Sequence, residues 1–261
     1  MRFPIATGLA VLLLLSNATN ARGATINMSL DPLVTEMHVL PGGADRTSTD
    51  VTNNGDTDER VTVEPIDWTT RLDGSISIEP VGTQGAHSLT KYLAAESYRF
   101  ILHPHQVRRL NIALSMPQNV PAVPLSYWGG FIIKAFPLDG SLAIGPAATF
   151  FVYDDVGAPT RHLSILSLRA SPVWMRRSFQ IVARLKNDGA GYARTSGTLI
   201  IKRGATVVER ENIPVGAIFP GHNRIVEGVI TGLRTGHYAA ELTFDYGGDV
   251  IVGADTDFTV P

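Results

Sequence analysis

His103 and His105 are the only histidines that lie close together in this sequence. Alternate residues of an extended strand share a face, so the pair could offer two imidazoles to one cation. No third or fourth ligand accompanies them, and around Pro104 the spacing reads as a surface corner. Asp154 and Asp155 could pose as paired acids, but Gly157 and Pro159 follow, and they read as solvated side chains flanking a linker. Trp68 and the pair Tyr127-Trp128 could form a platform for stacking on sugar rings, although such aromatics normally pack the core of a β-sandwich. Asp50, Thr52, Asn54 and Gly55 occupy the first, third, fifth and sixth places of a calcium loop. The twelfth place holds Val61 where a bidentate glutamate is required, so this stretch reads as a turn. Gly189-Ala190-Gly191 opens like a dinucleotide fingerprint, but Arg194 stands in the last glycine's place and no helical pattern follows.

No Gly-x-Ser-x-Gly elbow occurs, and cysteine is absent from the chain. That excludes a disulfide framework, a thiolate zinc site, a cysteine nucleophile and a lipid-modified cysteine. The residues therefore predict no catalytic centre, no cofactor site and no metal site. A net charge of −2, with no run of Lys and Arg, argues against nucleic acid as a partner.

The elements that carry these residues are those of a soluble globular chain, with 44% apolar and 18% charged residues over a length of 261. Arg2, the apolar run Ile5 to Leu15 and the small residues Ala18, Ala21 and Gly23 have the plan of a cleaved secretory signal over residues 1–23. The mature protein is then expected beyond the inner membrane, in the periplasm with the cell surface as an alternative. No other stretch approaches spanning length, so no membrane insertion of the mature chain is expected.

From Ala24 the chain reads as short alternating strands separated by Gly, Pro, Asn and Asp. The run from Ala24 to Leu30 is broken by Asp31-Pro32 and resumes at Val34 to Leu40, as an edge strand does when it switches sheets. Further strands are expected at 46–52, 60–64 with Ile66 and Trp68 beyond, 75–79, up to Leu102, 107–114, 127–136 and 141–153. A single helical turn is expected near Leu89 to Ala95. After Tyr153 a polar segment with Gly and Pro reads as a linker, and the pattern then repeats. Strands are expected at 162–168, 179–185, 198–202, 224–230, 236–244 and 250–260. Asn187-Asp188-Gly189 answers Asn53-Asn54-Gly55, and Phe219-Pro220-Gly221-His222 answers Leu102-His103-Pro104-His105. The prediction is an all-β protein with two immunoglobulin-like β-sandwiches in tandem, at 24–154 and 162–261, joined by a linker at 155–161.

The Asn53-Asn54-Gly55 turn, the Phe100-to-Leu114 corner with Pro104 and Arg108-Arg109, and the closing strand from Leu142 to Tyr153 resemble the first domain of periplasmic pilus-assembly chaperones. The two-sandwich plan is similar to that of the whole protein. The resemblance implies a non-enzymatic protein without cofactors whose closing strand pairs with an exported pilus or fimbrial subunit. In that family alternate apolar side chains of this strand fill the subunit's incomplete groove. Here the matching positions are Leu142, Ile144, Ala148, Phe150 and Val152, with Pro146 interrupting the parity. The family holds the subunit's terminal carboxylate with an Arg and a Lys. This chain has Leu33 or Val34 and Thr149 at the matching places, while Lys134 and Arg161 are the nearest candidates to replace them. The alternative function is a structural or adhesive immunoglobulin-like module of the envelope.

Overall fold

The computed structural model describes residues 26–120, 123–138, 145–173, 178–248 and 250–261. The expected signal at 1–23 lies outside them, as do Leu142 and Ile144.

The described residues form two β-sandwiches, as expected, antiparallel except where β2 (Val34–Met37) joins the first. In the first, one sheet has the order β1 (Met28–Asp31), β3 (Ala44–Asn53), β8 (Val107–Ser115) and β6 (Leu93–Ala95). The facing sheet runs β2 (Val34–Met37), β10 (Ala147–Val156), β9 (Leu125–Pro137) and β4 (Glu59–Thr70). The far side of β4 is shared by β7 (Arg99–Leu102) and β5 (Ile76–Glu79). The second sandwich packs β11 (Leu163–Pro172), β12 (Phe179–Asn187) and β15 (Asn223–Ile230) against another sheet. That sheet has the order β14 (Thr206–Ile218), β13 (Ala193–Arg203), β16 (Gly236–Asp245) and β17 (Val252–Val260). Each sandwich closes on its own apolar cluster, one around Leu110, Ile112, Phe131 and Phe150, the other around Leu185, Leu199, Ile201 and Phe244. The cause is the period-2 alternation: in β12, Phe179, Ile181, Ala183 and Leu185 are buried while the residues between them are not.

The broken first strand does switch sheets. β1 pairs antiparallel with β3, and past Asp31-Pro32 the chain crosses to pair β2 in parallel with β10. Pro65 sits inside β4, an interior strand, where a missing donor is normally excluded. It is tolerated because β7 pairs residues 59–62 and β5 pairs residues 67–70, which leaves position 65 between the two partners. The helical turn expected near Leu89 is a 3-10 turn, Thr90–Tyr92.

The internal repeat is written in hydrogen bonds. Buried Asn53 donates from Nδ2 to Thr57 O (2.8 Å) and Leu102 O (3.2 Å), and its Oδ1 accepts from Gly55 N. Asn187 does the same with Gly191 O (2.8 Å), Ile218 O (2.7 Å) and Gly189 N. These clamps correct the alignment of the corners by one residue. Leu102 corresponds to Ile218, Pro104 to Pro220, and His105 (φ 60°) to Gly221 (φ 74°), both left-handed. Matching Phe219 to Leu102 by apolar type misses that Phe219 leaves the second core for a different role.

β14 was not among the expected strands. Its first half is charged and exposed, and Pro214 and Gly216 flank a register shift against Thr195 and Ser196, so the alternation never becomes regular.

Candidate functional site

β10 is held on one side along its whole length. It pairs with β9 from Ala147 opposite Lys134 to Val156 opposite Leu125. The fit depends on Gly130, where a Cβ would lie 2.1 Å from Phe150 O, and on Gly129, where it would lie 2.1 Å from Thr90 Oγ1. On the other side β2 covers only Phe151 to Asp154. Phe151 N donates to Leu33 O at 2.8 Å, so the N–H and C=O of alternate residues 147 and 149 point to the same side. Among the described residues no strand pairs there: residues 147–150 present an open edge of the sheet.

The side chains of this strand divide by parity. Phe150 and Val152 are fully buried in the first sandwich's own core, and Ala148 packs against that core. Their side chains are thus engaged by the chain itself, and what the described part of the strand offers outward is main chain with Thr149 and Phe151 on the opposite face. Leu33 and Val34 do lie beside the strand, half exposed, with Thr149 nearby and no cation among the three. Of the candidate replacements, Lys134 binds Glu64 Oε2 (2.7 Å), and Arg161 binds Asp155 and donates to Tyr192 O (3.2 Å). Arg194 from the second sandwich is brought by the fold to the part of β10 that β2 covers, beside Tyr153. It pairs with Glu36 of β2 at 2.8 Å, and its guanidinium lies 5.8 Å from the Tyr153 ring centroid. Sequence reasoning met Arg194 only as a misfit in a glycine motif; nothing local marks a residue whose partner is more than 150 positions away.

The two sandwiches meet on an aromatic cluster beside the same strand. Phe219 stacks on Trp128 (4.2 Å, 22°) and meets Trp68 edge-on (4.9 Å), while Tyr153 packs on Tyr192 (4.7 Å). Trp128 Nε1 donates to Trp68 O at 2.9 Å and Trp68 Nε1 to Gly129 O at 3.2 Å, so the buried indoles are satisfied. Trp68 and Trp128 are therefore neither a sugar platform nor part of the sandwich core, but the contact between sandwiches; Tyr127 alone is in the first core. Main chain reinforces the contact: Ile225 N donates to Leu72 O (2.7 Å) and Tyr192 N to Ser126 Oγ (3.0 Å).

Asp154 and Asp155 are not solvated linker residues. β10 continues through both to Val156, because Asp155 is held by Arg161 and Ser126 and Asp154 turns into the sandwich. Asp154 Oδ1 accepts from Val39 N at 2.8 Å, which ties down the chain just after β2, and Oδ2 is buried without a partner. Burial pushes the Asp154 carboxyl up to about 6, against the Val39 hydrogen bond that lowers it. His103 and His105 do not share an extended face. His105 is left-handed, and His103 Nδ1 sits 2.9 Å from Asp58 Oδ1. Asp50 lies within β3, opposite Arg109 and bonded to it at 3.0 Å. Among the described residues no cluster of three His, Asp or Glu side chains could hold a metal, and no helix is long and apolar enough to cross a membrane.

No family model and no curated protein sequence matches the chain. Among solved structures, the YadV chaperone is similar over 88% of this chain and 99% of its own, at 11% identity and a TM-score of 0.47. The class 5 fimbriae chaperone CfaA is similar over 90% and 100%, at 10% identity and 0.45. A chaperone–tip adhesion subunit pre-assembly complex, CsuC–CsuE of Acinetobacter baumannii, is similar over 89% and 98%, at 13% identity and 0.43.

Proposed function

We propose that this chain is an exported, non-enzymatic chaperone-like protein of the periplasm that binds an exported subunit of pilus or fimbrial type by strand pairing along β10. The observation that carries the reading is the open edge at 147–150. An uncovered sheet edge is a template for association and is normally blunted by charge, proline or a covering element. The described open segment, Ala147-Ala148-Thr149-Phe150, carries no charge, and β2 stops short of it. An incoming strand would extend the sheet through the Ala147 and Thr149 main chain, with Thr149 and Phe151 on its outward face.

Phe150 and Val152 contribute by holding β10 rigid, and Ala148 by packing beneath it. Leu142 and Ile144, which precede the open segment in sequence, are the proposed apolar contacts to the subunit. Arg194, beside Tyr153, is the proposed cation for a subunit's terminal carboxylate in place of the missing basic pair. The two sandwiches at 24–154 and 162–261 are proposed as separate domains with 155–161 as the connection.

The test is co-purification of partners from an envelope extract, using the protein and two variants. Thr149→Pro removes a donor only from the open side, and Ile144→Asp places a charge in the proposed apolar contact. Recovery of one small exported β-rich protein, lost in both variants while each still melts cooperatively, is expected. Partners indifferent to both changes would instead make the chain a structural or adhesive module.

A further inference from the structure

The sheet that ends in β10 has a second edge, and its chemistry is different. On the far side of β4, β7 pairs from Arg99 opposite Thr62 to Leu102 opposite Glu59, and among the described residues nothing pairs with its outer side. Val61 and Val63 point into the core, so Arg60 stands on the outer face of the sheet. Arg99 and Ile101, which are exposed, stand there too, across from Thr62 and Arg60. Arg108 reaches the same place from β8 in the facing sheet, its guanidinium 4.3 Å from the Phe100 ring centroid. Arg60, Arg99, Phe100, Ile101 and Arg108 line one open concavity of 720 Å³.

Among the described residues the three guanidinium groups make no ion pair with a carboxylate: the ion pairs are made by His103, Arg109, Lys134, Arg161, Lys186, Arg194 and Lys202. Arg60 donates only to Leu138 O, at 3.3 Å. Of the acidic side chains near the cluster, Glu64 is engaged by Lys134 and Asp58 by His103, while Glu96 is bonded to Asn111 and also feels the charge of Arg108. A chain with a net charge of −2 thus concentrates three arginines, none in an ion pair among the described residues, beside an open strand edge and exposed Ile101 and Val107.

We infer that the β7 edge is a docking site for an extended acidic segment of another protein, paired to β7 through its main chain. Its alternate carboxylates would be held by Arg60, Arg99 and Arg108. Arginine forks suit carboxylates in bidentate geometry, and a strand spaces same-face side chains about 7 Å apart, the spacing of diagonal neighbours such as Arg60 and Arg99. A concave site with an open backbone edge favours a peptide over a membrane surface, which needs a broad flat basic face. The inference goes beyond the proposed function and does not depend on it, since β10 lies two strands away across β9 and β4.

The test is fluorescence anisotropy with a labelled octapeptide of alternating Glu and Val, against its Gln-Val counterpart. The expected result is binding of the Glu peptide at least tenfold tighter than the Gln peptide. Arg99→Glu and Arg60→Glu should each weaken it at least tenfold, and Arg234→Glu, an exposed arginine elsewhere, should leave it unchanged. Arg99→Gln, with an unaltered melting temperature, guards against misfolding of the charge reversals and should also weaken binding. Equal affinity for the two peptides, or binding that survives both reversals, would overturn the inference. So would capture by phosphatidylglycerol vesicles that the same reversals abolish while the peptide fails to bind.

Discussion

The last strands of the two sandwiches, β10 and β17, occupy the same place in the same repeated sheet and treat their outer edges in opposite ways. Each pairs with the strand before it, and the asparagine clamps at Asn53 and Asn187 fix each sandwich with the same bonds. In the second sandwich β11 stays hydrogen-bonded to β12 throughout and runs close alongside β17, whose one ladder partner among the described residues is β16. Asp255 and Asp257 are exposed on the outward face of β17. In the first, the opening strand breaks at Asp31-Pro32 and β2 covers half of β10, leaving the other half open and uncharged. Charge guards an edge against association, and an edge without it is a template for pairing. The difference is what supports placing the proposed working surface on the first sandwich, against which the second packs through Phe219.

The sharpest way to break this comparison is to attack the rigid backing of β10. Phe150→Ala should destabilise the first sandwich by roughly 3–5 kcal/mol in urea unfolding, the range for a large aromatic deleted from a packed core. A change below about 1 kcal/mol would mean that β10 is not locked by its inward face. Next come the clamps. Asn53→Ala and Asn187→Ala should cost roughly 2–3 kcal/mol each, since each strands two buried carbonyls, and the two losses should agree. Unequal losses would show that the repeat is one of sequence and not of energetics. Phe219→Ala tests the docking of the two halves. It removes the stack on Trp128 and should separate one melting transition into two, at an interaction cost of about 1 kcal/mol per aromatic pair.

Asp154 sharpens the comparison through pH. Its folded carboxyl titrates at about 6 and burial disfavours the ion. Since the folded value lies above the unfolded one, the protonated form stabilises the fold. That stability is fully present below about pH 4, the unfolded value, and is lost as pH rises through about 6. The first sandwich should therefore become more stable between pH 7 and pH 5, and Asp154→Asn should flatten that rise. A wild-type stability as flat as the variant's would contradict the burial of Oδ2. The smallest effect is expected from Arg194→Ala: the Arg194–Glu36 pair is largely exposed, and its loss should cost less than about 1 kcal/mol.

The fold was legible because strand and turn chemistry are local. Asp31-Pro32 announced the sheet switch, and the Asn-x-Gly turns announced the repeat. The site was less so. Parity alone put Phe150 and Val152 on a donated face, whereas in a sandwich the same alternation first fills the chain's own core. Whether an alternating strand faces inward or toward a partner depends on what covers its other side, which the strand's own residues do not encode. Asp154 and Asp155 looked like linker residues because their partners, Val39 N and Arg161, are set by the tertiary fold. The corner alignment set Phe219 against Leu102, one residue off, for the same reason.

The most direct test of the open edge is amide hydrogen exchange at Thr149, measured in the free protein and in complex with the co-purified subunit. In the free protein Thr149 N–H should exchange far faster than Phe151 N–H, which is bonded to Leu33 O. In the complex it should slow at least a hundredfold, as a new strand accepts it. Equal protection of Thr149 and Phe151 before binding, or a Thr149 amide left unprotected in the complex, would contradict strand pairing at β10.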